Sequence, residues 1–398
     1  MSPQSTWFTV LLGVLIALTP LGTDTYLPAL PIIAQSFDAT VSAAQLTLTS
    51  FFSGLAIGQL MWGPLSDRFG RKPTLLAGLA LYLGSAIAGA TASSVTEIVW
   101  LRLLQGLGMS IGPVVARSIV RDLYSHEHAA RMLARMTIVF SIAPIASPLI
   151  GAQLTAWWGW QAVFVFLAVV AAALLAAVAG GLHETAPADR ASGGAIQMAR
   201  NFGLILRARD FLAPFATMLC AQAGTFAFVS GSAFALVRGA GVSPGAFSLM
   251  FAAVMLGQIS GAWASSRLVM PVGIGRMLRF GARLACAAGL LAAALAWTGF
   301  THWLAVVLPY MAYVFGAALL IPNATAAALT PFSRAAGAAS SLIGATQFAV
   351  GALISSVLGA LFDGTPRAMA TVTAVAGCGA LAAEALLVRS ALRVRRAP

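Results

Sequence analysis

Twelve apolar runs, each long enough to cross a lipid bilayer, follow one another along this chain and leave few other folds open to it. A spanning helix needs roughly 20 mostly apolar residues. Runs of that kind occupy 8–30, 43–65, 73–92, 96–117, 134–156, 160–181, 212–236, 245–266, 277–297, 303–324, 338–360 and 368–389. Turn residues separate them: Pro28 and Pro31 after the first, Trp157-Trp158-Gly159-Trp160 after the fifth, Asp363-Gly364-Thr365-Pro366 before the last. The chain is 60% hydrophobic and 9% charged, with a mean hydropathy of +0.90. A soluble domain carries about 25% charged residues. A soluble fold of this length would lack the polar surface to cover itself, which excludes a large enzyme with a buried core. The expectation is an all-α integral membrane protein of twelve transmembrane helices, because a helix satisfies its own backbone in lipid.

The segment 182–211 breaks the pattern. It holds His183, Glu184, Asp189, Arg190, Arg200, Arg207, Arg209 and Asp210, with Ser192-Gly193-Gly194 between them. It reads as a polar linker that divides the spans six and six. The expected organisation is a six-helix bundle over 1–181, a cytoplasmic linker over 182–211 and a second six-helix bundle over 212–398 that ends in a short basic tail. The cations are distributed unevenly. Arg238 and Arg367 fall on one side of the membrane and Arg102 inside a span, whereas every other one of the 23 Lys and Arg falls on the opposite side. The positive-inside rule therefore places both termini and the linker in the cytoplasm. A span count shifted by one would destroy this asymmetry. The net charge of +12 does not point to nucleic acid, because the arginines are dispersed between apolar spans instead of gathered on a polar domain. Cys220, Cys286 and Cys378 each lie in an apolar run without a C-x-x-C neighbour and read as small buried hydrophobes, not as a metal site or disulfides. The first seven residues carry no Lys or Arg, so the N-terminus reads as a retained first helix and not a signal peptide.

Three places carry charge where lipid resists it. Gly63-Pro64-Leu65-Ser66-Asp67-Arg68-Phe69-Gly70-Arg71-Lys72 packs acids, bases and two glycines between the second and third runs, so this turn must sit in water at a membrane face. Asp24 lies in the first run and Arg102 in the fourth. An ionisable residue inside a span costs at least about 2.5 kcal/mol and marks function, with a partner expected. Counting from the run ends, both lie about six residues, roughly 9 Å, from the outer face. Equal depth makes them partners, directly or through water. Burial and a neighbouring cation act in opposite senses on such a carboxyl, and that balance lets it take up and release a proton. Glu384, near the cytoplasmic end of the last run, reads as an interfacial residue that snorkels.

At these residues a family is recognisable. The chain resembles the Bcr/CflA-type drug:proton antiporters of the major facilitator superfamily. The first-span signature D-x-Y-L-P-A-x-P runs from Asp24 to Pro31, the loop motif from Gly63 to Lys72, and the fourth-span R-x-x-Q-G-x-G from Arg102 to Gly108, followed by Arg117-Ser118-Ile119-Val120-Arg121-Asp122. Leu182-His183-Glu184-Thr185 at the start of the linker is also family-like. The fifth-span antiporter motif is reduced to Pro144, Pro148 and Gly151, and the second-half copy of the loop motif, Gly261 to Arg267, lacks its acid. The resemblance implies the major facilitator fold of two pseudo-symmetric six-helix bundles in a bacterial inner membrane. It implies alternating access, with proton-driven export of small amphipathic antibiotics, chloramphenicol- or bicyclomycin-like. The alternative is a transporter of the same fold that moves a metabolite such as an amino acid or sugar. It implies proton coupling at Asp24 and Arg102. It implies a cytoplasmic gate of Gly63, Asp67, Arg68, Gly70, Arg71 and Asp122, in which Arg71 pairs with Asp122 and Asp67 faces the N-terminal dipole of a second-half helix. Substrate contacts are expected from the first, fourth, seventh and tenth spans: Tyr26, Gln105, Met109, Gln222, Phe226, Tyr310, Tyr313 and Asn323. No H-E-x-x-H, P-loop or paired intramembrane aspartates occur, so the expectation is a non-enzymatic transporter without ATP use, cofactor or metal, working as a monomer with drug, protons and lipid as its partners.

Overall fold

The computed structural model of the chain describes residues 5–186, 195–299 and 302–394. The linker residues Asp189 and Arg190 and the tail residues Arg395 and Arg396 lie outside the described residues. The described residues form helices and turns without a strand. In chain order the helices are α1 Thr6–Asp24, α2 Leu30–Ser36, α3 Val41–Phe69, α4 Arg71–Ala90, α5 Val95–Met109, α6 Ile111–Leu123, α7 His126–Trp158 and α8 Gln161–Gly181. Then come α9 Ala195–Arg207, α10 Arg209–Ala233, α11 Pro244–Val272, α12 Ile274–Trp297, α13 Leu304–Leu329, α14 Ala336–Leu361 and α15 Arg367–Val394. Joined where they continue one another, they make twelve segments long and apolar enough to span a membrane. Short polar side chains start several of them. Thr40, Ser94 and Ser243 accept the N–H groups of Ala43, Glu97 and Ala246, each at 3.2 Å, which satisfies donors that a helix start leaves unpaired.

The chain divides into two compact units, Met1–Gln197 and Met198–Pro398. In the first unit α3 packs on α5, α4 on α8 and on α5, and α1 on α7; in the second, α11 packs on α13, α12 on α15 and on α13, and α10 on α14. Counted by spans, the second unit repeats the pairings of the first one by one. Glycines bring the backbones together at these crossings. A Cβ on Gly106 of α5 would collide with the Phe51 carbonyl of α3, and one on Gly281 of α12 would lie 2.8 Å from the Gly316 carbonyl of α13. Small residues at helix crossings are the usual means of tight packing in lipid, where no hydrophobic drive separates helix from solvent.

Two sequence expectations change. The first span does not stop at Pro28 and Pro31. α1 ends at Asp24, a narrow turn covers Leu27–Ala29, and α2 carries the span on to Ser36. The prolines start these short pieces instead of ending the span, because a proline's fixed φ suits a first helical turn. The segment 182–211 is not uniformly linker, since it contains α9, in which Leu204 and Leu206 are exposed and Ile205 is buried.

Candidate functional site

The centre of the first unit is built around Arg102. The residue is wholly buried. Its Nη1 donates to the Gly22 carbonyl at 3.1 Å and to Gln105 Oε1 at 2.6 Å. The guanidinium carbon lies 3.9 Å from the ring centroid of Phe51 and 4.2 Å from that of Tyr26, so two aromatic faces replace much of the lost hydration. The Tyr26 hydroxyl donates to Thr47 Oγ1 at 2.9 Å, and its ring meets Phe164 edge-on. Met109 is fully buried against Gly22, where a Cβ would collide with the methionine methyl group. Arg102 Nε and Nη2, Gln105 Nε2 and the Tyr82 hydroxyl are buried without a hydrogen-bond partner.

The Gly22 carbonyl is available because α1 breaks beside it. Pro28 has no N–H to give the Asp24 carbonyl, the Tyr26 N–H turns back to Thr23 O at 3.2 Å, and Gly22 O is left for the arginine. Asp24 stands at this break, 6% exposed. Among the described residues no cation and no hydrogen-bond donor is paired with its carboxyl. Of the two forms of partnership expected with Arg102, direct or through water, the direct pair is therefore not formed. The arginine side chain instead brings its guanidinium to the carbonyl two residues before Asp24. α7 closes on the same break. A Cβ on Gly151 would collide with the Thr25 carbonyl, and Pro144 and Pro148 stand in the helix one and two turns earlier.

The turn between α3 and α4 forms a second cluster. Arg71 is 4% exposed. Its Nε donates to Asp122 Oδ2 at 2.8 Å, and its Nη1 donates to Ser66 Oγ at 2.8 Å and to Asp67 Oδ1 at 2.5 Å. Asp67 itself is half exposed. Arg68 lies over the ring of Phe69 at 5.2 Å. Gly63 faces open space, and its carbonyl accepts from Ser66 Oγ at 2.9 Å. Gly70 starts α4 at φ +100°, a conformation costly for any residue with a Cβ. It has no side chain to cap the helix, and Glu184 does so from the far end of the unit. Glu184 Oε1 accepts from the Arg71 N–H at 2.9 Å and Oε2 from the Lys72 N–H at 3.3 Å. The N–H groups of Thr185 and Ala186 close on the same carboxylate at 2.9 Å each. Burial opposes the charge, but these four N–H groups outweigh it and hold the carboxyl below the ordinary glutamate value. The sequence placed Glu184 only in the polar linker and in a family-like tetrapeptide. Its capping role joins residues 113 positions apart, and no local pattern signals that.

The candidates of the second unit are tied within it. The Tyr313 hydroxyl donates to the Ala221 carbonyl of α10 at 3.2 Å, Thr373 Oγ1 of α15 donates to the Tyr310 hydroxyl at 3.2 Å, and Asn323 Nδ2 donates to Ser265 Oγ of α11 at 2.9 Å. Phe226 packs near Phe348 with ring centroids 6.2 Å apart, and Gln222 is half-buried. Glu384 is buried at 5% exposure instead of snorkelling freely.

Twelve apolar helices in two units with matching internal pairings, and a buried arginine beside a broken first helix, are the features of a secondary transporter. The sequence profile of the Major Facilitator Superfamily matches residues 12–356. The "Bicyclomycin resistance protein homolog" of Haemophilus influenzae is 32% identical, covering 89% of each chain. The "Chloramphenicol resistance protein" of Pseudomonas aeruginosa is 31% identical over 86% of this chain and 80% of its own, and "Multidrug resistance protein D" of Escherichia coli is 28% identical over 85% and 84%. The fold matches the crystal structure of a D-xylose-proton symporter with a TM-score of 0.74 at 16% identity, covering 96% of this chain and 97% of that one. The chain belongs to the Major Facilitator Superfamily and, within it, to the Bcr/CflA-type drug exporters. It is a multi-pass membrane protein.

Proposed function

We propose that this protein exports small amphipathic antibiotics across a bacterial inner membrane in exchange for protons, by alternating access and as a monomer. The observation that carries the reading is the state of Asp24: a buried carboxyl without a paired cation, two residues from a carbonyl held by Arg102. The two unpartnered nitrogens of Arg102 and that of Gln105 are donors in search of an acceptor. Buried unsatisfied donors are expensive. An ionised Asp24 or a polar atom of the drug relieves them, so the two compete for one group of donors and transport is coupled. Tyr26 and Met109 in the first unit, and Gln222, Phe226, Tyr310, Tyr313 and Asn323 in the second, are the candidates for substrate contact, and their largely apolar and aromatic side chains suit varied amphipathic substrates. The cluster of Asp67, Arg71, Asp122 and Glu184 serves as the cytoplasmic gate.

Drug-induced proton release from everted vesicles tests the reading. Wild-type vesicles dequench a pH-sensitive dye when chloramphenicol or bicyclomycin is added, and Asp24→Asn vesicles, with the protein inserted at normal levels, do not. A wild-type response in the variant removes Asp24 from coupling. A response to an amino acid or sugar but to neither drug reassigns the substrate.

A further inference from the structure

All three cysteines of the chain fall in the second unit, and the fold brings them to one layer of it. Cys286 of α12 and Cys378 of α15 lie 92 positions apart in sequence, yet their sulfurs are 3.5 Å apart. The reading of Cys378 as a buried hydrophobe is corrected, since it is exposed, whereas Cys286 is buried. Gly377 allows the approach: a Cβ there would lie 2.7 Å from the Ala285 carbonyl and 2.9 Å from Cys286 Cα, so any larger residue would push α15 off α12. Cys286 is buried and Cys378 is exposed on the outer face of the unit. Cys220 of α10 is a neighbour and not a member, as it packs against the position of Gly379 instead of either sulfur.

We propose that Cys286 and Cys378 form a dithiol site for neutral trivalent organoarsenicals, reached from the lipid side and clamping α12 to α15. The separation decides the ligand. Two sulfurs in van der Waals contact are spaced as the pyramidal S–As–S unit requires. A linear two-coordinate ion such as mercury(II) or silver(I) needs them further apart, and a disulfide would need them to close to about 2 Å. Access favours the same class. The site lies at mid-span on an apolar helix face, where a neutral lipid-soluble reagent partitions and a hydrated ion does not. The step needs neither oxidant nor reductant. An arsenic–oxygen unit R–As=O takes both thiols, two As–S bonds replace the As=O bond, the two thiol hydrogens leave with the oxygen as water, and arsenic stays trivalent.

The probe is phenylarsine oxide, added to the full-length protein in native membranes. Intact mass then rises by one phenylarsenic group less two hydrogens, and one of the three thiols remains titratable. Dimercaptopropanol removes the adduct, whereas an equal thiol concentration of 2-mercaptoethanol does not, because only a chelated arsenic resists monothiols. Cys286→Ala and Cys378→Ala each abolish the monothiol-resistant adduct, and Cys220→Ala keeps it. Peptide mapping of the wild-type adduct, independent of any variant's folding, finds Cys286 and Cys378 in one bridged species. An adduct stripped by monothiol, mapped to a single cysteine, or retained in Cys378→Ala overturns the proposal.

Discussion

Arg102 is held by hydrogen bonds from one nitrogen and by the stacking of its planar group near aromatic rings. Its Nη1 serves two acceptors, and its guanidinium carbon lies within 4.2 Å of the ring centroids of Tyr26 and Phe51. Lysine keeps the charge but loses the plane that lies against the rings. Arg102→Lys is expected to fall at least about tenfold in antibiotic resistance, and to lose thermal stability by the about 1.5–3 kcal/mol of a charged hydrogen bond. Resistance titres and unfolding of the detergent-solubilised protein check the two separately; full resistance in the lysine variant would reduce the site's demand to charge alone. Glu184 makes a different kind of prediction. Removing its carboxylate in Glu184→Ala uncaps α4 and costs about 0.5–2 kcal/mol. Because its folded-state value is depressed, its contribution is complete above the unfolded value of about 4.3. It is lost as pH falls through the folded value. The stability gap between wild type and Glu184→Gln should therefore be constant near neutrality and narrow in acid. Both roles depend on partners outside the residue's own segment. That is why an intramembrane arginine could be singled out from sequence while its acceptor, a backbone carbonyl of another helix, could not.

Among the elements, the crossing of α3 and α5 has no slack. Gly106 lies against the Phe51 carbonyl, in the same stretch that carries Arg102 and Gln105. Gly106→Val would force the helices apart, at an overpacking cost of about 1–3 kcal/mol. It would also move Phe51 off the guanidinium, so loss of thermal stability and loss of transport should appear together. Gly63 is the contrasting case: a Cβ there meets open space, and Gly63→Ala should express, fold and transport as wild type. A large defect would show that this glycine is needed in a conformation other than the present one. The helices themselves were legible, because lipid forces long apolar runs to be helical. The break in α1 was half legible. The prolines announce a discontinuity, but whether a span stops there or resumes depends on what packs against the freed carbonyls. Here Arg102 takes Gly22 O, and Gly151 lets α7 close on Thr25.

For the whole molecule, the cation asymmetry predicts orientation. Green fluorescent protein fused after residue 394 should fluoresce, and alkaline phosphatase fused at Asp363 should be active. The reverse pattern would invert the topology and with it the direction of transport. Asp67→Asn should shift the conformational equilibrium through loss of a partly exposed charge contact, by about 1 kcal/mol or a few-fold in population, without loss of drug affinity. Cysteine accessibility from both membrane faces reads the shift. An unchanged accessibility with collapsed affinity would remove Asp67 from the gate. By itself the sequence determined the number of spans, predicted their division six and six and their orientation, and singled out the few charged positions worth testing. Each of these follows from the energy of single residues in lipid or water, which needs no knowledge of neighbours. Tertiary structure alone decided that Arg102 holds Gly22 and not Asp24, that Glu184 caps a helix 113 positions away, and that Cys286 meets Cys378. Those are pairings between distant segments, set by which helix backbones can approach, and a one-dimensional pattern of apolar and polar residues does not encode them.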